Sequence, residues 1–233
     1  MSFKFKQFEI QQDKSAMKVG TDGVILGAWV NAINPSRILD VGSGTGLISL
    51  MMAQKYSNAQ VYAVEIEKEA FLQSIENISK SLWQDRIYVY NDDFLEFSKK
   101  TEFKFDIIVS NPPFFENHLH SSDEKKQLAR HNDTLPFDQF VESVANLLKK
   151  NGSFFVILPF VNHEYFVHLC EQRQLFCNKK TSLKHTPNSS IKRILMKFSF
   201  EPSFVQQDVI SIKVNNLFSE EYKKLTKDFY LFF

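Results

Sequence analysis

The segment Ile38-Leu39-Asp40-Val41-Gly42-Ser43-Gly44-Thr45-Gly46 constrains this chain more than any other. A short apolar run enters a turn with glycine at every second position, and a helical pattern over 46–55 follows. Glycines at 42, 44 and 46 permit positive φ and leave the main chain open to close approach. The helix behind them offers unpaired N–H groups to whatever lies on the turn. The next apolar run, Val61-Tyr62-Ala63-Val64, closes on a carboxylate, Glu65. An acid at that strand end is where nucleotide-binding α/β units hold ribose hydroxyls.

Short apolar runs predict strands at 37–41, 60–65, 86–91, 105–110 and 153–158, and helical patterns over 46–55, 68–81 and 136–148 separate them. That alternation builds an α/β fold, a mostly parallel sheet wound with helices on both faces. Right-handed crossovers bring the loops after the strands to one edge, where such sheets bind ligands. Asp40 to Gly46, Glu65, Asp92-Asp93 and Asn111-Pro112-Pro113-Phe114 each follow a predicted strand, so four signals converge on one cleft.

Outside this body, alternation over 3–10 predicts a short strand or arm. Thr21 or Asp22 suits the cap of a helix over 24–32. Beyond Pro159 the patterns predict a helix over 163–173, strands at 175–183 and 193–200 with a basic turn-rich loop between, and a capped helix over 219–227. The expected organisation is one domain over 1–233, with extensions at 1–35 and 201–233.

Composition narrows the partners. A formal net charge of +1 excludes a polycation, so any nucleic-acid contact needs a local basic face. Lys18, Lys184, Lys192 and Arg193 are the phosphate candidates. Cys170 and Cys177 lie seven apart, which reads as two reduced thiols and not as a disulfide or metal motif. The polar stretch 115–134 is long enough to be functional, and its His118 and His120 lack further ligands at metal spacing, so no metal is expected. No apolar run reaches membrane-spanning length and Met1-Ser2-Phe3-Lys4 opens no signal peptide. A cytoplasmic protein with no membrane partner, working as a monomer, is the expectation. Most of the 24 phenylalanines read as core.

The glycine spacing does not fit a dinucleotide fingerprint, because the third glycine comes one place early. Asp40 ahead of the turn would repel a pyrophosphate and would suit a cationic α-amino group. Asp-x-Gly-x-Gly-x-Gly, with Glu65 nineteen residues after Gly46, resembles the S-adenosylmethionine site of class I methyltransferases. The resemblance implies a Rossmann-like sheet with an antiparallel C-terminal edge strand. It implies that Asp40, Gly42, Ser43, Gly44 and Gly46 hold the amino-acid end and that Glu65 takes the ribose. Asp93 and Phe94 would then meet the adenine, with Asp92 as the alternative acid.

Asn111-Pro112-Pro113-Phe114 suits chemistry on an exocyclic amine, whose lone pair is delocalised into its ring. Two acceptors, the Asn111 side-chain carbonyl and the Pro112 backbone carbonyl, would grip both N–H bonds and aim the lone pair. Successive prolines fix the backbone, and Phe114 offers a stacking ring. The motif resembles that of N-methyltransferases acting on adenine, guanine or glutamine amino groups, and its final Phe does not separate adenine from guanine.

The stretch from Ala16 to Trp29, Ala129-Arg130-His131 with Leu135-Pro136-Phe137-Asp138, and Lys227-Asp228-Phe229-Tyr230-Leu231 look like signatures of the bacterial tRNA1(Val) adenine-37 N6-methyltransferases. That resemblance spans nearly the whole chain. It implies a tRNA substrate, Thr21 and Asp22 near cofactor and substrate, and Arg130 and His131 in a target-side loop. Anticodon-loop bases are single-stranded and can be everted cheaply. A ribosomal RNA guanine N2-methyltransferase, a protein glutamine methyltransferase and a non-catalytic RNA-binding scaffold are the rival readings.

Overall fold

The computed structural model describes residues 2–15, 18–112 and 135–233. Its strands are β1 (Ser2–Lys4), β2 (Glu9–Gln11), β3 (Arg37–Val41), β4 (Gln60–Glu65), β5 (Ile87–Asn91), β6 (Phe105–Ser110), β7 (Leu148–Pro159), β8 (Phe176–Lys184), β9 (Ile191–Ser199), β10 (Gln206–Ser211), β11 (Lys213–Val214) and β12 (Leu217–Phe218). The helices are α1 (Thr21–Trp29), α2 (Leu47–Lys55), α3 (Lys68–Ser79), α4 (Phe94–Lys100), α5 (Phe137–Leu147), α6 (His163–Gln172) and α7 (Glu220–Thr226).

Eight strands form one sheet in the order β10-β8-β9-β7-β6-β3-β4-β5. β3 through β7 run parallel, β9 runs against both of its neighbours, and β10 lies parallel to β8. The antiparallel strand expected on the C-terminal side is therefore β9. It lies two places in from the edge because β8 and β10 are added outside it.

Alternating side chains of each strand feed two separate cores. Ile38, Val61, Ile107, Val109 and Ile157 pack with α1, α2 and α7, whereas Leu39, Val64, Ile108, Val156 and Leu158 pack with α4, α5 and α6. Burial on both faces is why these strands read as continuous apolar runs. From β3 the chain winds outward through β4 and β5, then returns to the other side of β3 as β6. The strand order reverses there, and the crevice between the β3 and β6 ends is the natural ligand position.

Several elements differ from the sequence reading. α1 begins at Thr21, with Gly20 as its N-cap and no side-chain cap, so neither Thr21 nor Asp22 caps it. The glycines in α1 let the helix approach α2 closely: a Cβ on Gly27 would fall 2.6 Å from the Met51 sulfur. At its other end the Lys55 ammonium donates to the carbonyls of Ala28 and Val30. The arm over 3–10 is a hairpin of β1 and β2. β7 starts at Leu148, ahead of the predicted 153. α4 and β10 were not foreseen. α4 is seven residues long, too short for a periodic signal. All six residues of β10 are partly or fully exposed, so it lacks apolar alternation. Among the described residues no helix is long and apolar enough to cross a membrane.

Candidate functional site

β3 and β6 end side by side. Val41 pairs with Ser110, and the Ser110 hydroxyl donates to the Val41 carbonyl at 2.9 Å. Gly42 and Asn111 therefore leave the sheet from neighbouring strand ends. The glycine turn is tied sideways to β4, since the N–H groups of Gly42 and Ser43 donate to the Val64 carbonyl at 2.9 and 3.2 Å. Gly42, Gly44 and Gly46 take φ of 70°, 55° and 85°, the left-handed region that favours glycine. Among the described residues, a Cβ on Gly42 or Gly44 would meet no atom within 4 Å. Space is thus kept open against bare backbone. Gly46 differs: a Cβ there would press on Ser74 of α3 at 3.3 Å, so this glycine serves helix packing.

Glu65 closes the turn. Its Oε2 accepts from the Gly44 N–H at 2.7 Å and its Oε1 from the Glu67 N–H at 2.9 Å. Asp40 is fully buried beneath the turn, where its Oδ2 accepts from the Ser49 hydroxyl of α2 at 2.6 Å. Burial pushes its carboxyl up to about 7; the Ser49 hydrogen bonds oppose the shift and the Glu65 charge adds to it.

Five buried side-chain oxygens among the described residues lack a hydrogen-bond partner, and those of Asp40 (Oδ1), Ser43 and Asn111 all belong to this edge. Leaving such groups unpaired costs about 1–3 kcal/mol each, so their grouping makes this edge the candidate ligand site. Asn111 is half-buried, and its amide nitrogen faces α1, where a Cβ on Gly23 would lie 3.9 Å away. Pro112 is buried directly behind it.

The acids after β5 are engaged locally. Asp93 caps α4, accepting from the Leu95 and Glu96 N–H groups at 2.8 and 3.1 Å. Asp92 accepts from the Asp93 N–H and pairs with Lys100 at 2.9 Å. The Phe94 ring lies in the core, 5.5 Å from that of Phe140, and so does not present a face to the cleft. The apolar side chain that is open at this end is Ile66, 67% exposed directly after Glu65. Sequence reasoning missed it, although an apolar residue next to a strand-end acid was a usable signal.

On the other side of the cleft, Arg193 Nε donates to Asp22 Oδ2 at 2.8 Å, joining β9 to the first turn of α1. Thr21 is exposed at the start of that turn. Lys184 donates to the Pro187 carbonyl at 3.1 Å within its own loop. Lys18 folds back onto the carbonyls of Gln12 and Ser15, so its ammonium braces the segment before α1. Pro113, Phe114, Arg130, His131 and the stretch 115–134 lie outside the described residues. Among those described, no group of three or more His, Cys, Asp or Glu is placed to hold a metal.

The chain is similar to known proteins in sequence and in fold. The Methyltransferase small domain family matches residues 24–165. A protein of Flavobacterium psychrophilum named tRNA1(Val) (adenine(37)-N6)-methyltransferase is 45% identical over 232 residues, covering 98% of this chain and 99% of its own. A protein of the same name from Bacteroides thetaiotaomicron is 40% identical over 231 residues, covering 98% and 97%. In fold, the chain is similar to a predicted O-methyltransferase of Agrobacterium tumefaciens, with a TM-score of 0.69, 16% identity and coverage of 89% and 96%.

Proposed function

This chain belongs to the tRNA1(Val) (adenine(37)-N6)-methyltransferase family, and we propose from that premise that it methylates the exocyclic N6 amine of adenine 37 in tRNA1(Val). The observation that carries the reading is the grouping of unpartnered buried oxygens on Asp40, Ser43 and Asn111 around glycines that keep the backbone bare. S-adenosylmethionine, when bound, supplies a methyl group activated on a sulfonium.

The residues present fit that cofactor. The free Asp40 oxygen and the Ser43 hydroxyl would take its α-amino and carboxylate end, a polar group that bare backbone at Gly42 and Gly44 lets approach closely. Glu65 would take ribose hydroxyls, and its Gly44 bond already fixes it against the turn. The exposed Ile66 supports an apolar contact with the adenine, with Asp92 or Asp93 at the amine. Thr21 and Asp22, at the first turn of α1, would flank cofactor and substrate.

Asn111 Oδ1 is a buried acceptor with no partner among the described residues, which suits it to an amine N–H. With the Pro112 carbonyl as second acceptor, both N–H bonds of the target would be held and the lone pair aimed. Positioning of this kind supplies most of what a weakly nucleophilic amine needs. Pro113 would hold the acceptors extended and Phe114 would stack on the base. Arg130 and His131 would serve the target-side loop and Lys184 and Arg193 the substrate side, while Lys18 would act there only through the segment that its ammonium braces. No metal enters this scheme. A cytoplasmic monomer completes the reading.

The named relatives favour adenine N6 over a guanine N2 or glutamine target. The test is to incubate the protein and S-adenosylmethionine with unmodified tRNA, and separately with unmodified ribosomal RNA, and to identify the product nucleoside by mass. N6-methyladenosine at position 37 of tRNA is expected. N2-methylguanosine, or product from ribosomal RNA alone, would overturn the substrate.

A further inference from the structure

The chain is nearly neutral overall, with a formal net charge of +1, yet its charge is unevenly placed. From Phe176 to Phe200, the hairpin of β8 and β9, there are six lysines and arginines and no acidic residue, so the rest of the chain is net acidic. The end of this hairpin lies at the same sheet edge as Asn111, because β8 finishes there and β9 starts there. Lys184, His185 and Lys192 occupy that end, and His185 and Lys192 are exposed. Two backbone bonds extend the cluster: the Ile212 N–H donates to the Lys184 carbonyl and the Lys213 N–H to the His185 carbonyl, both at 2.9 Å, which brings Lys213 beside them. The acids on these elements are few. Asp22 is engaged by Arg193, and Glu164 sits in the first turn of α6.

An apolar shelf adjoins this cluster. β7 ends at Pro159, directly opposite Arg193 of β9. The turn that follows exposes Val161 by 71%, and the first turn of α6 exposes Tyr165 by 60%. Lys184 lies three strand spacings from Asn111, roughly 14 Å across the sheet, which is two to three nucleotides of extended backbone.

We propose that Lys184, His185, Lys192 and Lys213 grip the phosphates of a single-stranded RNA loop while Val161 and Tyr165 take an unstacked base beside the target adenine. The inference rests on the tRNA reading above and adds the surface on which the loop docks. Clustered cations give salt-dependent phosphate affinity, and exposed aromatic or apolar side chains accept splayed bases, a pairing suited to an anticodon loop. The position also accounts for how a chain of nearly neutral net charge holds a polyanion: the docking face is basic where the molecule is not.

The experiment measures binding of unmodified tRNA without cofactor, as a function of salt, for wild type, for Lys184→Glu/Lys192→Glu/Lys213→Glu, for Tyr165→Ala, and for Lys150→Glu at the opposite sheet edge. S-adenosylmethionine affinity and thermal melting report whether each variant is folded. The triple variant should bind tRNA at least tenfold more weakly, with a salt slope shallower by about 2. Tyr165→Ala should weaken binding roughly tenfold with the slope unchanged. Lys150→Glu should match wild type. Wild-type affinity and slope in the triple variant, equal losses in Lys150→Glu, or no tRNA binding by wild type would each overturn the proposal. Absence of N6-methyladenosine in the turnover assay would instead overturn the substrate reading, and the binding losses would still score the surface.

Discussion

The Gly44 N–H donates to Glu65 Oε2 across 2.7 Å, so the acid at the end of β4 and the glycine turn after β3 are one unit. The same carboxylate accepts from Glu67 through its other oxygen. Glu65→Ala removes both acceptors and leaves two N–H groups to be resolvated. A loss of roughly 2–3 kcal/mol of stability is expected, with S-adenosylmethionine affinity reduced more than tenfold. Glu65→Gln keeps one acceptor and should fall between. Calorimetric titration and denaturant unfolding separate the two effects.

Asp40 gives a pH signature with a definite sign. Its folded-state pKa of about 7 lies above the ordinary 3.8, because burial penalises the charged form. Its contribution to the stability of the cofactor-free protein is complete below about 4 and is lost as pH rises toward 7. Cofactor affinity should move the other way, since only ionised Asp40 pairs with an ammonium group. Titration of binding between pH 5.5 and 8 should show affinity rising through about 7, and Asp40→Asn should flatten the profile.

Gly44→Ala separates conformation from access. φ is +55° there, so an alanine costs about 1 kcal/mol, while its Cβ would touch none of the described residues. A small drop in unfolding free energy with at least a tenfold loss of cofactor affinity is expected. Equal affinity would mean that nothing binds over that backbone.

Asn111→Ala should lower the methyl-transfer rate more than a hundredfold and leave cofactor affinity within about threefold, the pattern of a group acting on the transition state. Single-turnover rates beside calorimetric titration provide the check. Parallel loss of both would show that Asn111 chiefly holds the cofactor.

Far from the cleft, Asp106 at the start of β6 accepts from Ser36, Arg37 and Lys149. Burial alone would raise its carboxyl, but these hydrogen bonds outweigh it and hold the group down at about 2. Its stabilisation is therefore present above about 4 and lost as pH falls toward 2. Asp106→Asn should destabilise by roughly 1–3 kcal/mol at pH 7, and the difference from wild type should shrink in acid. Urea unfolding at pH 7 and pH 3 measures it.

Much of the body was legible in sequence because its signals are local. β3, β4 and β6 are buried on both faces, and their apolar runs mark them with the observed limits. The glycine turn, Glu65 and Asn111 follow those strands directly, so their shared edge was deducible from winding alone. Phe94 shows where that reasoning ends: beside Asp93 it read as an adenine contact, yet helix α4 turns its ring toward Phe140. Lys18 likewise read as a phosphate candidate, and its ammonium donates to the carbonyls of Gln12 and Ser15.

The sequence by itself determined the parallel strands β3 to β7, their winding and the placing of the glycine turn, Glu65 and Asn111 at one edge, since periodicity and turn chemistry act over a few neighbours. Only the tertiary structure decided which of those residues have free valences. Asp40 and Asn111 carry oxygens that no group among the described residues satisfies, while Glu65, Asp93 and Arg193 already have partners. It also decided that Lys184, Lys192 and Lys213 gather at one end of the sheet, because pairing between strands far apart in sequence has no local signature.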